Sequence, residues 1–137
     1  MTASPITEEN GVKVVHLTGD DTMHYNITTI EAKPGEPIKV ELTNIGHMPA
    51  QSMSHNFVLL QPMSDQDVNA FGISASMVAP TYLPKDMSKV IAHTPKFAGP
   101  GDTETVEFKA PTEPGEYPYI CTFPGHFATM RGKLIVK

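Results

Sequence analysis

From residue 34 the chain carries its most restrictive stretch: a Pro34-Gly35 turn, then Ile38, Val40 and Leu42 alternating with Lys39, Glu41 and Thr43. A two-residue period sends the apolar side chains to one face and the polar ones to the other, which a strand with one buried face satisfies and a helix does not. Comparable runs recur at Val12, Val14 and Leu17, at Tyr25 and Ile27, at His55–Leu60 (HNFVLL), and at Lys89–Thr94 (KVIAHT). Three more follow, at Thr103–Lys109, Gly115–Cys121 and Lys133–Lys137. Gly and Pro fall between them, in segments such as PKFAGPGD and APTEPG. About eight short strands separated by turns predict an all-β fold, an antiparallel Greek-key β-sandwich. Pro118 stands inside one run and has no N–H to donate, so that side of its strand should face an edge or a bulge.

The alternation stops between Gln61 and Ser88, and a structureless loop of that length is unusual inside a compact domain. Ser64 followed by Asp65 and Asp67 resembles a helix start, with Val68, Phe71 and Met77 as its inward stripe, so one short helical insertion is expected. The 137 residues suit a single domain, 1–137, with residues 1–10 as a mobile N-terminal extension. Fifteen acids against ten bases give a net charge of −5, and Arg131 is the single arginine, so there is no basic stripe for nucleic acid. No apolar run approaches the roughly 20 residues of a membrane span, and MTASPITEEN lacks the pattern of a signal peptide. A soluble domain is expected, with any signal or tether segment lying outside this chain.

The single cysteine, Cys121, cannot form an internal disulfide, and its neighbours carry the chemistry. In Cys121-Thr122-Phe123-Pro124-Gly125-His126-Phe127-Ala128-Thr129-Met130 a thiolate, an imidazole and a thioether lie within ten residues of one inter-strand loop. A second imidazole, His55, opens the run HNFVLL. Two histidines and a cysteine with a weak methionine form the donor set of blue-copper electron-transfer sites. Taken singly, each has a plainer reading: a lone cysteine is most often a small buried hydrophobe, and a methionine before a strand is most often core. Two rival functions use the same residues. Methionines 23, 48, 53, 63, 77 and 87 would suit a protein that stores or delivers copper, although they are scattered rather than clustered. A cysteine hydrolase would use Cys121 as nucleophile, but no oxyanion elbow is visible and Met130 would have no purpose.

The segment CTFPGH followed by Met130, together with MSHNFVL around His55, TYLPKDMSKVIAHT at residues 81–94 and the closing GKLIVK, resembles the azurins, a family of bacterial blue-copper cupredoxins. Auracyanins are the next nearest likeness. The resemblance implies a cupredoxin fold and one copper per chain. It implies His55, Cys121 and His126 as strong ligands, Met130 as the axial one, and the Ser54 carbonyl as a weak second axial oxygen where azurins carry glycine. Asn56, Thr122 and Phe123 would brace the ligands, with the Asn56 and Phe123 amides donating to the thiolate. His47 would couple protons to the redox state. Phe57 stands where azurins carry a buried tryptophan, and their disulfide is missing. By the same likeness the chain is an electron carrier rather than an enzyme, periplasmic and monomeric. Its partners would be redox proteins such as c-type cytochromes or oxidoreductases. They would dock briefly at an apolar patch of Phe123, Pro124, Phe127, Ala128, Met53 and Met48, where His126 comes close to solvent.

Overall fold

The computed structural model describes residues 5–137. In chain order the described residues form β1 (Ile6–Glu9), β2 (Val12–Gly19), β3 (Thr29–Ala32), β4 (Pro37–Asn44), α1 (Ala50–Met53), β5 (Val58–Leu60), α2 (Asp65–Ser76), β6 (Val90–His93), β7 (Thr103–Lys109), β8 (Gly115–Ile120) and β9 (Arg131–Val136). One sheet runs β1-β2-β4-β7 and the other β3-β9-β8-β5-β6. Strand β4 behaves as its alternation dictates, burying Ile38, Val40, Leu42 and Asn44 and turning the residues between them outward. Its apolar face, with Val15 and Leu17 of β2, meets Leu59, Tyr119 and Leu134 of the second sheet, all at most 1% exposed. Each such side chain contributes about 1.5–3 kcal/mol when taken fully out of water. Phe57 occupies the centre, packed on Tyr119 at 5.2 Å and on Phe108 at 6.2 Å between ring centroids.

The sandwich is mixed rather than wholly antiparallel, because β2 runs parallel to β4 and β3 parallel to β9. It has nine strands among the described residues, one more than expected. Two of the nine, β1 and β3, lie outside the expected runs; Ile6–Glu9 fall within the expected N-terminal extension over residues 1–10 and pair antiparallel with Val12–Val15. Residues 1–4 lie outside the described residues. Tyr25 and Ile27 are buried but form no strand: Tyr25 makes an isolated bridge to Gly19, and β3 starts after them. Their apolar character reflects burial, which periodicity over so few residues does not distinguish from a strand.

The helix begins where expected, with the Ser64 hydroxyl accepting from the Asp67 amide at 3.1 Å. Val68 is buried and Phe71 half-buried, but Met77 stands just past the last turn and is 78% exposed. The one-turn α1 has no side-chain cap and no periodic pattern to announce it. Pro118 lies in an inner strand, paired with Lys133 of β9, and the pairing of β8 with β5 stops beside it at Leu59 and Tyr119.

Candidate metal centre

His55 lies just before β5, fastened by two backbone hydrogen bonds to Ala98: its amide donates to the Ala98 carbonyl at 3.1 Å and its carbonyl accepts from the Ala98 amide at 2.7 Å. Asn44, the last inward position of β4, tightens this frame. Its side-chain amide donates to the carbonyls of Ala98 (3.0 Å) and Met53 (2.8 Å), and its oxygen accepts from the Gly46 amide (2.9 Å). The ring of His55 then reaches back to the end of β2, where Nε2 lies 2.9 Å from the Asp20 carbonyl.

The other donors come from the loop between β8 and β9. The Cys121 amide donates to the Met130 carbonyl at 3.1 Å and closes the loop at its base. Inside it the His126 amide donates to the Phe123 carbonyl (3.0 Å), and the His126 carbonyl accepts from the amides of Thr129 (3.2 Å) and Met130 (2.9 Å). Gly125 supplies the left-handed turn at φ +83°, a conformation that costs a residue with a Cβ. The fold therefore directs His126 inward, with its Nε2 3.2 Å from the Ser52 carbonyl in α1.

The imidazoles face a common centre. Nδ1 of His55 lies 4.0 Å, and Nδ1 of His126 3.7 Å, from Cys121 Sγ. The three donor atoms fall within 4.8 Å of one another. A carbonyl can only accept, so each Nε2 carries the proton and each Nδ1 keeps its lone pair for the centre. His55, Cys121 and His126 are at most 2% exposed. Burial pushes the His126 imidazole down to about 4, helped by repulsion from His55, and lowers His55 as well, which favours the neutral form of both rings. Burial pushes the Cys121 thiol up to about 12, against the backbone amides of Asn56 and Phe123, which hold the charged sulfur. Without metal the thiol keeps its proton at neutral pH.

The neighbours brace this geometry. Asn56 Nδ2 donates to Thr122 Oγ1 at 2.9 Å, and the Thr122 amide donates to Asn56 Oδ1 at 2.8 Å, tying the His55 segment to the Cys121 loop. The Tyr25 hydroxyl donates to the Asn56 carbonyl. The Ser54 carbonyl lies 3.9 Å from Sγ. Met130 is fully buried, and its Cε and the His55 ring edge both press on Gly19, each 2.6 Å from where a Cβ would stand. Two neutral imidazole nitrogens and a buried sulfur with polarised support are a donor set that fits copper. They fit a nucleophilic cysteine poorly, since that needs a lowered pKa.

Several expected positions move. His126 is buried rather than near solvent, because α1 covers its outer nitrogen. Met53 is 7% exposed and belongs to the core. Met48, Pro124 and Ala128 are exposed and Phe123 and Phe127 half-buried, with Phe127 resting against Gly72 of α2. His47 is exposed, with its amide donating to Asp21 at 2.8 Å, outside the three-donor cluster. Sequence reading missed Gly19, Asn44 and the carbonyls of Asp20 and Ser52. Asn44 did leave a signal, as a polar residue in the inward slot after Ile38, Val40 and Leu42.

Residues 12–137 match the family described as copper binding proteins, plastocyanin/azurin family. The chain is 38% identical over 126 residues to an azurin of Pseudomonas aeruginosa, covering 90% of this chain and 84% of that one. It is 36% identical to an azurin of Achromobacter denitrificans, over 86% of this chain and 80% of that one. Among solved structures it superposes on auracyanin A, a "blue" copper protein of Chloroflexus aurantiacus, with a TM-score of 0.81 and 28% identity. That match covers 93% of this chain and all of the other.

Proposed function

This chain belongs to the plastocyanin/azurin family of copper binding proteins, and we infer that it is a blue-copper electron carrier rather than a catalyst. The observation that carries this is the buried convergence of His55, Cys121 and His126 within 4.8 Å. Copper held there by His55, Cys121 and His126 would supply a one-electron change between Cu(II) and Cu(I). The protein's own part is to keep the donors still while that electron moves. Each ring is fixed at its outer nitrogen by a carbonyl, the thiolate receives the amides of Asn56 and Phe123, and the Asn56–Thr122 pair joins the two ligand-bearing segments. A frame held from both ends leaves little to rearrange between oxidation states. In this reading Met130 and the Ser54 carbonyl would be weaker donors beside the three strong ones.

A small uncharged face of Met48, Phe123, Pro124 and Ala128 suits brief docking of redox proteins such as c-type cytochromes, with this chain acting as a monomer in a bacterial periplasm. Among the described residues no helix is long and apolar enough to cross a membrane. The test is addition of Cu(II) to metal-free protein. One equivalent should produce intense blue absorption, and Cys121→Ser should fold but stay pale. Pale copper binding by the parent, or blue colour in Cys121→Ser, overturns the reading.

A further inference from the structure

An electron leaving the centre needs a continuous line of contacts to the surface, because electronic coupling decays far more steeply across gaps than through touching groups. His126 offers no open edge: it is 2% exposed and its outer nitrogen is engaged by the Ser52 carbonyl. Apart from His55, the aromatic ring against it among the described residues is Phe123, at 4.8 Å between centroids. Phe123 is linked to the centre in two further ways. It lies two peptide bonds from Cys121, and its amide supports the Cys121 sulfur.

From Phe123 the rings continue outward. Tyr82 and Phe97 meet it edge-on at 5.6 and 5.5 Å and meet each other at 5.8 Å, an arrangement that aromatic quadrupoles favour. All three rings are half-buried, so the cluster touches both the centre and the surface. Tyr82 is held at φ +51°, a region that bulky residues rarely adopt, with its amide donating to the Val78 carbonyl at 2.6 Å. Such strain persists only where the surrounding structure enforces it, and it clusters at functional positions. Phe97 also lines a cleft of about 390 Å³ with Pro80, Leu83, His93 and Lys96, so the ring cluster reaches the surface beside an exposed lysine.

We propose that Phe123, Tyr82 and Phe97 form an aromatic exit that carries the electron from the His126 side of the centre to the surface beside Lys96. The exit rests on the carrier reading. One electron leaves the reduced centre and is taken up by an external oxidant; no bond forms or breaks, and the rings supply coupling without being oxidised.

The test uses a ruthenium polypyridyl photo-oxidant attached through Lys96→Cys, with a second label at Ala128→Cys, on copper-loaded protein. The introduced thiol is the one the label reaches, since Cys121 is fully buried. Flash-driven electron transfer to ruthenium(III) at position 96 should slow at least several-fold in Tyr82→Leu/Phe97→Leu. Transfer to position 128 should stay the same. Tyr82→Phe, which keeps the ring, should restore the rate when Phe97 is intact, and Phe97→Leu alone should give a partial loss. In metal-free protein, proton NMR should show ring-to-ring contacts among Phe123, Tyr82 and Phe97, and Phe123→Leu should shift the His126 ring signals. Equal rates at position 96 in parent and ring variants with the blue band intact, or equal slowing at both label positions, overturns the exit alone. A parent that binds copper without the blue band overturns the carrier reading and the exit with it.

Discussion

The two histidines perform the same task on different supports. His55 is held by an isolated bridge: its backbone is bonded to Ala98, Asn44 at the end of β4 grips that bridge, and the residues around it, Ser54, Asn56 and Phe57, are all buried. His126 stands in a turn whose neighbours Pro124, Gly125 and Ala128 are exposed, and its covering carbonyl comes from Ser52, itself exposed in the one-turn α1. Both rings are deeply buried, yet one is anchored beside the ends of β2 and β4 and the other between the exposed β8–β9 loop and the one-turn α1. Similar burial is thus reached on two different supports.

The largest effect that could break this contrast comes from emptying each position. His55→Gly and His126→Gly should both lose the blue colour. Added imidazole should restore it in His126→Gly, where the opening leads through exposed loop residues, and not in His55→Gly; rescue measured by visible absorption in both or in neither would erase the difference. Next comes the tie between the two supports. Asn56→Ala strips buried partners from the Thr122 amide and hydroxyl, and should cost about 2–3 kcal/mol in urea unfolding of the metal-free protein.

Gly19→Ala sharpens the contrast by acting on one side. Its methyl would meet the His55 ring and the Met130 methyl at 2.6 Å each, and it should cost about 1–3 kcal/mol as the core overpacks. His55 ring signals should move in NMR spectra of the metal-free protein while those of His126 hold; equal movement of both rings would mean that the supports are coupled. The smallest effect belongs to a site remote from both ligands. Partial burial works to raise the Glu36 carboxyl, but the Lys33 amide at 2.9 Å and the Lys13 ammonium at 3.3 Å hold it below the ordinary carboxylate range. A carboxyl lowered on folding stabilises above its unfolded value and loses that contribution as pH falls through the folded value. Glu36→Gln should therefore cost less than about 1 kcal/mol near neutral pH and nothing in strong acid, with the copper spectrum unchanged.

What the sequence determined by itself is local or chemical. Two-residue alternation placed β4 and β7, Ser64 with its acids placed the start of α2, and the spacing from Cys121 through His126 to Met130 marked the metal loop. The Asn56 brace came from the family resemblance, since an asparagine beside a strand serves a turn as readily. Tertiary structure decided the rest. That the Asp20 and Ser52 carbonyls orient the imidazoles leaves no mark in the sequence, since every residue carries the same carbonyl and only the fold selects which two approach. That Ser52 of α1 covers His126 and that Phe127 rests on Gly72 of α2 are contacts between segments far apart in the chain. Pattern and spacing specify which atoms can bind a metal; which of them are enclosed, and by what, is settled only when distant segments compete for the same space.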